Sequence, residues 1–339
     1  MTKRLLGAGA LAALFALSVA DAAADATQYP LQIENCGETL TFERAPARVV
    51  SVGQNSTEIL LALGLADKIA GTAVWFSDVP PAYQAANVKI ERLADNDPSF
   101  ESVVAKEPEL VTAQFEWHIG PNGSVAKRTQ FHDLGIPTYV SPADCVAKDN
   151  SVSGDGVRLE LFTMDLVYRE IAELAAIFDV KDRGDELVAD LRAREAAAKE
   201  KVKGAGEGLT LAFWFSSPEV KGDAYIAGRN GPPAWLIHAL GAKNVIETNE
   251  EWPLVGWETI TAADPQVLVL ADMTRRRYGA DDVNVKIDFL QTDPVAIHLT
   301  AVEKRHWVIL STQEMDAGMR TIDGLEKLAN AIAGFGLVN

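Results

Sequence analysis

The chain has 339 residues, 48% hydrophobic and 23% charged. This is the balance of a folded globular protein rather than a disordered one, with enough length for two lobes of about 100–150 residues each. A formal net charge of −17 argues against nucleic acid or an anionic membrane surface as a partner, because such a chain repels both.

Lys3 and Arg4 precede an apolar run, Leu5 to Ala20, that closes on Ala20-Asp21-Ala22-Ala23-Ala24. This is the pattern of an export signal cut after Ala22 or Ala24. The run falls short of the ~20 apolar residues of a membrane anchor, and no cysteine ends it for lipid attachment. No later stretch is long enough to span a bilayer. Loss of residues 1–24 removes two cations and one anion and leaves a charge of −18. Export places Cys36 and Cys145, the only cysteines, in an oxidising compartment. Their separation is unlike the C-x-x-C spacing of metal or redox sites. A structural disulfide is the expectation, with two free buried thiols as the alternative.

In chain order, "ARVVSVG" (47–53) reads as a strand and "NSTEILLALGL" (55–65) as a helix. Ser56 or Thr57 would cap that helix, Ile59, Leu60 and Leu63 would share one face, and Gly64 would end it. "KIAGTAV" (68–74) is a strand, "SFESVVAKE" (99–107) a helix and "ELVTAQF" (109–115) a strand. "RTQFHDLG" (128–135) then "IPTYVS" (136–141) give another helix and strand. The second half repeats the alternation: strand 209–215, helix 232–241, helix end into strand over 263–272, strand 306–311 and closing helix 323–335. Such alternation predicts mainly parallel sheets covered by helices.

The halves also echo one another. "FESVVAKEPELV" (100–111) matches "WETITAADPQVL" (257–268) at identical offsets, and "LALG" (61–64) resembles "HALG" (238–241). Trp257, matched by Phe100, reads as a packing anchor. Between the halves, 162–180 and 183–204 are rich in strong helix formers. The second is ~30 Å long at 1.5 Å per residue. The chain therefore divides into an N-terminal lobe (25–160), a helical connector (161–204) and a C-terminal lobe (205–339).

"TFERAPARVVSVGQNSTEILLALGLADKIAGTA" (41–73), the repeated helix–strand unit with its Glu and Pro, and the single long connector resemble the periplasmic substrate-binding proteins of ABC importers. The similarity is to the group carrying iron–siderophore complexes, haem and vitamin B12, and covers roughly residues 40–335. "GIPTYVSPADC" and "GWETITAADPQVLVL" are also similar to members that carry a deazaflavin-cofactor precursor. The resemblance implies an α/β fold of two Rossmann-like lobes, joined by a long helix, with a ligand cleft between them. It implies a monomeric periplasmic carrier without intrinsic cofactor, any metal arriving inside a small-molecule ligand. The partner would be a permease dimer with its ATPase. It also implies that Glu101 and Glu258, one per lobe, dock the permease. The bland alternative is that both are acids favoured at helix N-termini.

In open α/β sheets ligands bind beyond the carboxyl ends of strands. The residues there are Trp75 and Phe76, Trp117 and His118, Arg275, Arg276, Arg277 and Tyr278, and Met315 and Arg320; Trp252 precedes the Glu258 unit. Aromatic area with directed guanidinium charge suits a large, flat, partly anionic ligand, such as a ferric siderophore, a corrinoid, haem or an anionic cofactor precursor. Each residue has a packing or solvated-loop alternative, and Trp214 and Trp235, inside element patterns, are expected in the core. Glu250 and Glu251 read as surface. The five histidines show no H-x-x-x-H spacing, so direct metal ligation is not expected. Nucleotide-binding loops and a G-x-S-x-G elbow are also absent from the sequence. A binding protein is thus expected rather than an enzyme; a ligand sensor and, more remotely, a secreted α/β hydrolase are the rival readings.

Overall fold

The computed structural model describes residues 26–151, 156–204 and 207–337; the expected export signal lies outside them. Val49–Val52 is the centre of an all-parallel five-stranded sheet ordered Arg92–Ala94, Ile69–Ala73, Val49–Val52, Leu110–Ala113, Thr138–Val140. All four residues of the central strand are buried, as strands covered on both faces must be. An antiparallel hairpin, Leu31–Asn35 with Glu38–Phe42, precedes the sheet. The expected disulfide joins Cys36 at its turn to Cys145, 109 residues on.

Helix Gln54–Ala62 starts earlier than expected, from Gly53 rather than a Ser56 or Thr57 cap. Gly53 takes φ 134°, and a Cβ there would overlap Gln114. Ser56 and Thr57 are committed elsewhere: Ser56 Oγ donates to Glu170 at 2.7 Å, and Thr57 Oγ1 to the Gly53 carbonyl at 2.8 Å. Gly64 does end the helix, at φ 70°. The carbonyl left free at Leu63 accepts from Arg183 Nη1 at 2.9 Å.

The second sheet is mixed. Thr210–Ser216, Val267–Asp272 and Trp307–Ser311 run parallel. Ala224–Ile226 pairs antiparallel with the first of these, and Leu254–Val255 with Ala224–Ile226. The sequence echo is structural. Helices Phe100–Val104 and Trp257–Ala263 each lead to a strand that pairs with the first sheet strand of its own lobe. Phe100 packs edge-on to Phe131 at 5.0 Å. Trp257 packs against Trp214 and Phe289, each at 4.8 Å. Trp214 and Trp235 are buried, as expected.

The connector is a helical pair, Asp165–Ile177 and Lys181–Lys201, turning at Asp179 (φ 56°). Gly184 lets the two pack, since a Cβ there would crowd Ala175. The first helix belongs against the N-terminal sheet, where Tyr139 Oη donates to Glu173 at 2.7 Å. The second is the bridge. Its start holds Leu63, and Arg194 pairs with Asp323 at 2.5 Å and Glu326 at 2.7 Å on the closing helix Thr321–Gly334.

Candidate functional site

The chain ends of six sheet strands meet at one cleft of about 1150 Å³. Val74 and Phe76 follow one strand, Gln114 and Phe115 another, and Ser141 a third. From the second lobe come Phe215 and Ser216, Met273, and Thr312. This is where an open α/β sheet holds a ligand, here shared between two sheets.

At the floor, side chains stitch the lobes together. Gln114 Nε2 and Asn55 Nδ2 donate to Asp316 Oδ2 at 2.7 and 3.2 Å. Ser77 Oγ donates to Gln313 Oε1 at 2.8 Å. Burial pushes the Asp316 carboxyl up to about 6. The walls carry aromatic area: Trp252 lies over Phe215 at 4.7 Å, and the Arg275 guanidinium lies 4.8 Å from the centre of the Phe76 ring. Trp117 is 51% exposed at the border of the cleft.

A buried ionic network forms part of the wall. Lys148 Nζ meets Asp144 Oδ1 at 2.5 Å and Glu251 Oε2 at 3.1 Å, and Arg158 Nε donates to Glu251 Oε1 at 3.0 Å. Despite its own burial, which opposes ionisation, Glu251 is held below the ordinary carboxylate range by Arg158 and Lys148. Two acids and two bases cancel in a desolvated setting, where breaking one partner strands the other. Among the described residues no group of three His, Cys, Asp or Glu is gathered to hold a metal, and no helix is long and apolar enough to cross a membrane.

A family model described as periplasmic binding protein matches residues 49–314, a span containing both sheets and the connector. The chain belongs to the periplasmic binding protein family. This binding protein is 23% identical over 306 residues to an uncharacterised ABC transporter substrate-binding lipoprotein of Bacillus subtilis, covering 90% of this chain and 86% of the relative. It is 26% identical over 231 residues to a vitamin B12-binding protein of Vibrio campbellii, covering 67% and 72%. A crystal structure of an ABC-type Fe3+-hydroxamate transport system from Saccharomonospora viridis superposes with a TM-score of 0.72 at 25% identity, over 90% of this chain and 99% of that one.

Of the residues expected at the site, Phe76, Trp117, Trp252, Arg275, Arg276, Arg277, Tyr278 and Met315 border the binding protein's cleft. Three do not. Trp75 is 4% exposed; Val74 and Phe76 take the cleft side and leave Trp75 in the core, its Nε1 donating to Thr72 Oγ1 at 3.3 Å under the Arg92 guanidinium. His118 is fully buried because the short helix Glu116–Ile119 sends Trp117 outward and His118 inward. Its Nε2 comes within 3.4 Å of Asp97 Oδ1, at the long limit of a hydrogen bond, and this approach lowers the Asp97 carboxyl. Arg320 is a strut between lobes: Nη1 donates to the Asp78 carbonyl at 3.1 Å and lies 3.5 Å from Glu58 Oε1. A buried carboxylate on one lobe has drawn the cation away from the cleft.

Glu251 is the other correction, 7% exposed rather than surface, while Glu250 is exposed and borders the cleft. Glu101 and Glu258 are exposed, each in the first turn of its helix. Asp144, Lys148, Arg158 and Asp316 went unrecognised in the sequence. Lys148 and Arg158 lie in two-residue strands, Lys148–Asp149 and Val157–Arg158, too short to carry any periodicity.

Proposed function

We propose that the protein captures a large, flat, partly anionic solute between its lobes in the periplasm and delivers it to the permease of an ABC importer. A ferric siderophore is the foremost candidate, with any metal carried as cargo. The observation that carries this reading is the aromatic and cationic lining, drawn from the strand ends of both sheets, in a cleft of about 1150 Å³. A cavity of that size suits a large ligand by comparison with the ~300–1,000 Å³ of drug-sized sites. The Fe3+-hydroxamate neighbour supports the siderophore. The vitamin B12-binding relative supports a corrinoid as the second reading. The protein acts as a monomeric carrier without catalysis, after loss of its export signal.

Glu101 and Glu258 are the docking residues in this account. Each is an exposed acid, one per lobe, on matched helices, and paired rim charges set register and encounter rate at such an interface. Replacing both with Ala should abolish uptake of the solute in cells while leaving its binding to the purified protein unchanged. Intact uptake by the double variant would sink the docking assignment.

A further inference from the structure

One buried group at the cleft has donors to spare. Arg158 is 3% exposed. Its Nε is committed to Glu251, its carbonyl accepts from Asn230 Nδ2 at 2.8 Å, and its guanidinium lies 5.6 Å from the centre of the Phe162 ring. Neither Nη nitrogen has a hydrogen-bond partner among the described residues, yet neither is sealed from solvent. The opening that the residue borders is the cleft.

The neighbouring charges are already satisfied. Lys148 is shared between Asp144 and Glu251. Asp144 Oδ2 also accepts from the Glu116 amide at 2.6 Å. Asp316 accepts from Gln114, Asn55 and the Ala317 amide. The part of this wall that is held rigid but has no acceptor among the described residues is the two-pronged edge of one guanidinium. That edge matches the two oxygens of a carboxylate or phosphate, which an ammonium group cannot engage in the same way. Open to the cleft, these donors face water, and an incoming oxyanion would replace that water with two charge-assisted hydrogen bonds.

We infer that Arg158 is the oxyanion-recognising residue of the cleft, taking a carboxylate or phosphate group of the solute on its two Nη nitrogens while Glu251 fixes its orientation. This rests on the reading of the cleft as a solute site and narrows the solute to molecules bearing such a group.

The test is nitrogen-detected NMR of arginine side chains in the mature wild-type protein, titrated with acetate and, separately, with inorganic phosphate. The Arg158 Nη signals should shift and saturate with at least one anion; the stronger binder assigns carboxylate or phosphate. The saturating response should vanish in Arg158→Gln. In Arg158→Lys, which keeps the charge without the fork, affinity should fall at least about tenfold. Unmoved Arg158 signals with both anions, or shifts confined to Arg276 and Arg277, would overturn the assignment. Haemin, cyanocobalamin and ferric citrate provide a separate arm. If none binds while acetate or phosphate still moves Arg158, the oxyanion assignment stands and the carried solute is of another class.

Discussion

Glu58 offers a quantitative test of how the lobes are joined. It is 1% exposed on helix Gln54–Ala62, accepts from Gln54 Nε2 at 2.9 Å and faces Arg320 of the other lobe. Burial pushes its carboxyl up to about 7, although Arg320 and Gln54 pull it down. The unfolded chain gives up this proton near 4.5, the folded chain near about 7. Native protein therefore holds an extra proton between those values, and its stability falls as pH rises through that window. Each pH unit of the displacement is worth roughly 1.4 kcal/mol, so the full loss is about 3 kcal/mol. Glu58→Gln keeps the shape but cannot titrate. At about pH 4 the variant should lie within about 1 kcal/mol of the parent, and at about pH 8 it should be the more stable by about 3 kcal/mol. Urea unfolding followed by circular dichroism at both values reads the difference. The same gap at both pH values would show that Glu58 gives up its proton alike in the folded and unfolded chain and would refute the reasoning.

Replacing Cys36 and Cys145 with Ser removes a cross-link between residues 109 apart and should cost about 4–5 kcal/mol; an unchanged urea midpoint would contradict this. Lys286 is buried, donating to the Phe215 and Ala271 carbonyls at 2.7 and 2.6 Å, and burial pulls its amine down to about 7. Because the folded chain sheds that proton first, its contribution to stability should grow from about pH 7 to about pH 10. Lys286→Met should flatten that rise in the unfolding profile. Trp75→Ala should cost about 3–5 kcal/mol of stability without changing solute affinity. Trp252→Ala should lower affinity at least about tenfold with the fold intact, and calorimetry on both variants would expose a reversed pattern.

What could be read ahead of the structure depended on whether the signal was local. Val49–Val52, Leu110–Ala113 and Val267–Asp272 are legible because strands buried on both faces are continuous apolar runs, and the echo of 100–111 in 257–268 marks the repeated helix–strand unit. The start of helix Gln54–Ala62 misled because Ser56 and Thr57 look like caps but serve Glu170 and Gly53. Ala224–Ile226 and Leu254–Val255, three and two residues long, carry too little pattern to reveal the mixed second sheet. Phe76, Trp117, Trp252 and the arginines of the 275–277 loop are recoverable from their position after strands or before the matched helix. Trp75 and His118 fail the same rule because neighbouring side chains project in opposite directions. Glu251 reads as surface from its acidic neighbours, yet its partner Arg158 is 93 residues away. No local feature announces such a pairing, and the same distance hid the cleft's most confined guanidinium.

Native mass spectrometry of the protein recovered from its own cells, beside the Trp252→Ala variant, tests the central claim most directly. The account predicts one equivalent of a large solute bearing a carboxylate or phosphate on the parent, and its loss or depletion from the variant. An uncoloured small metabolite on the parent, or a solute retained equally by the variant, would contradict it.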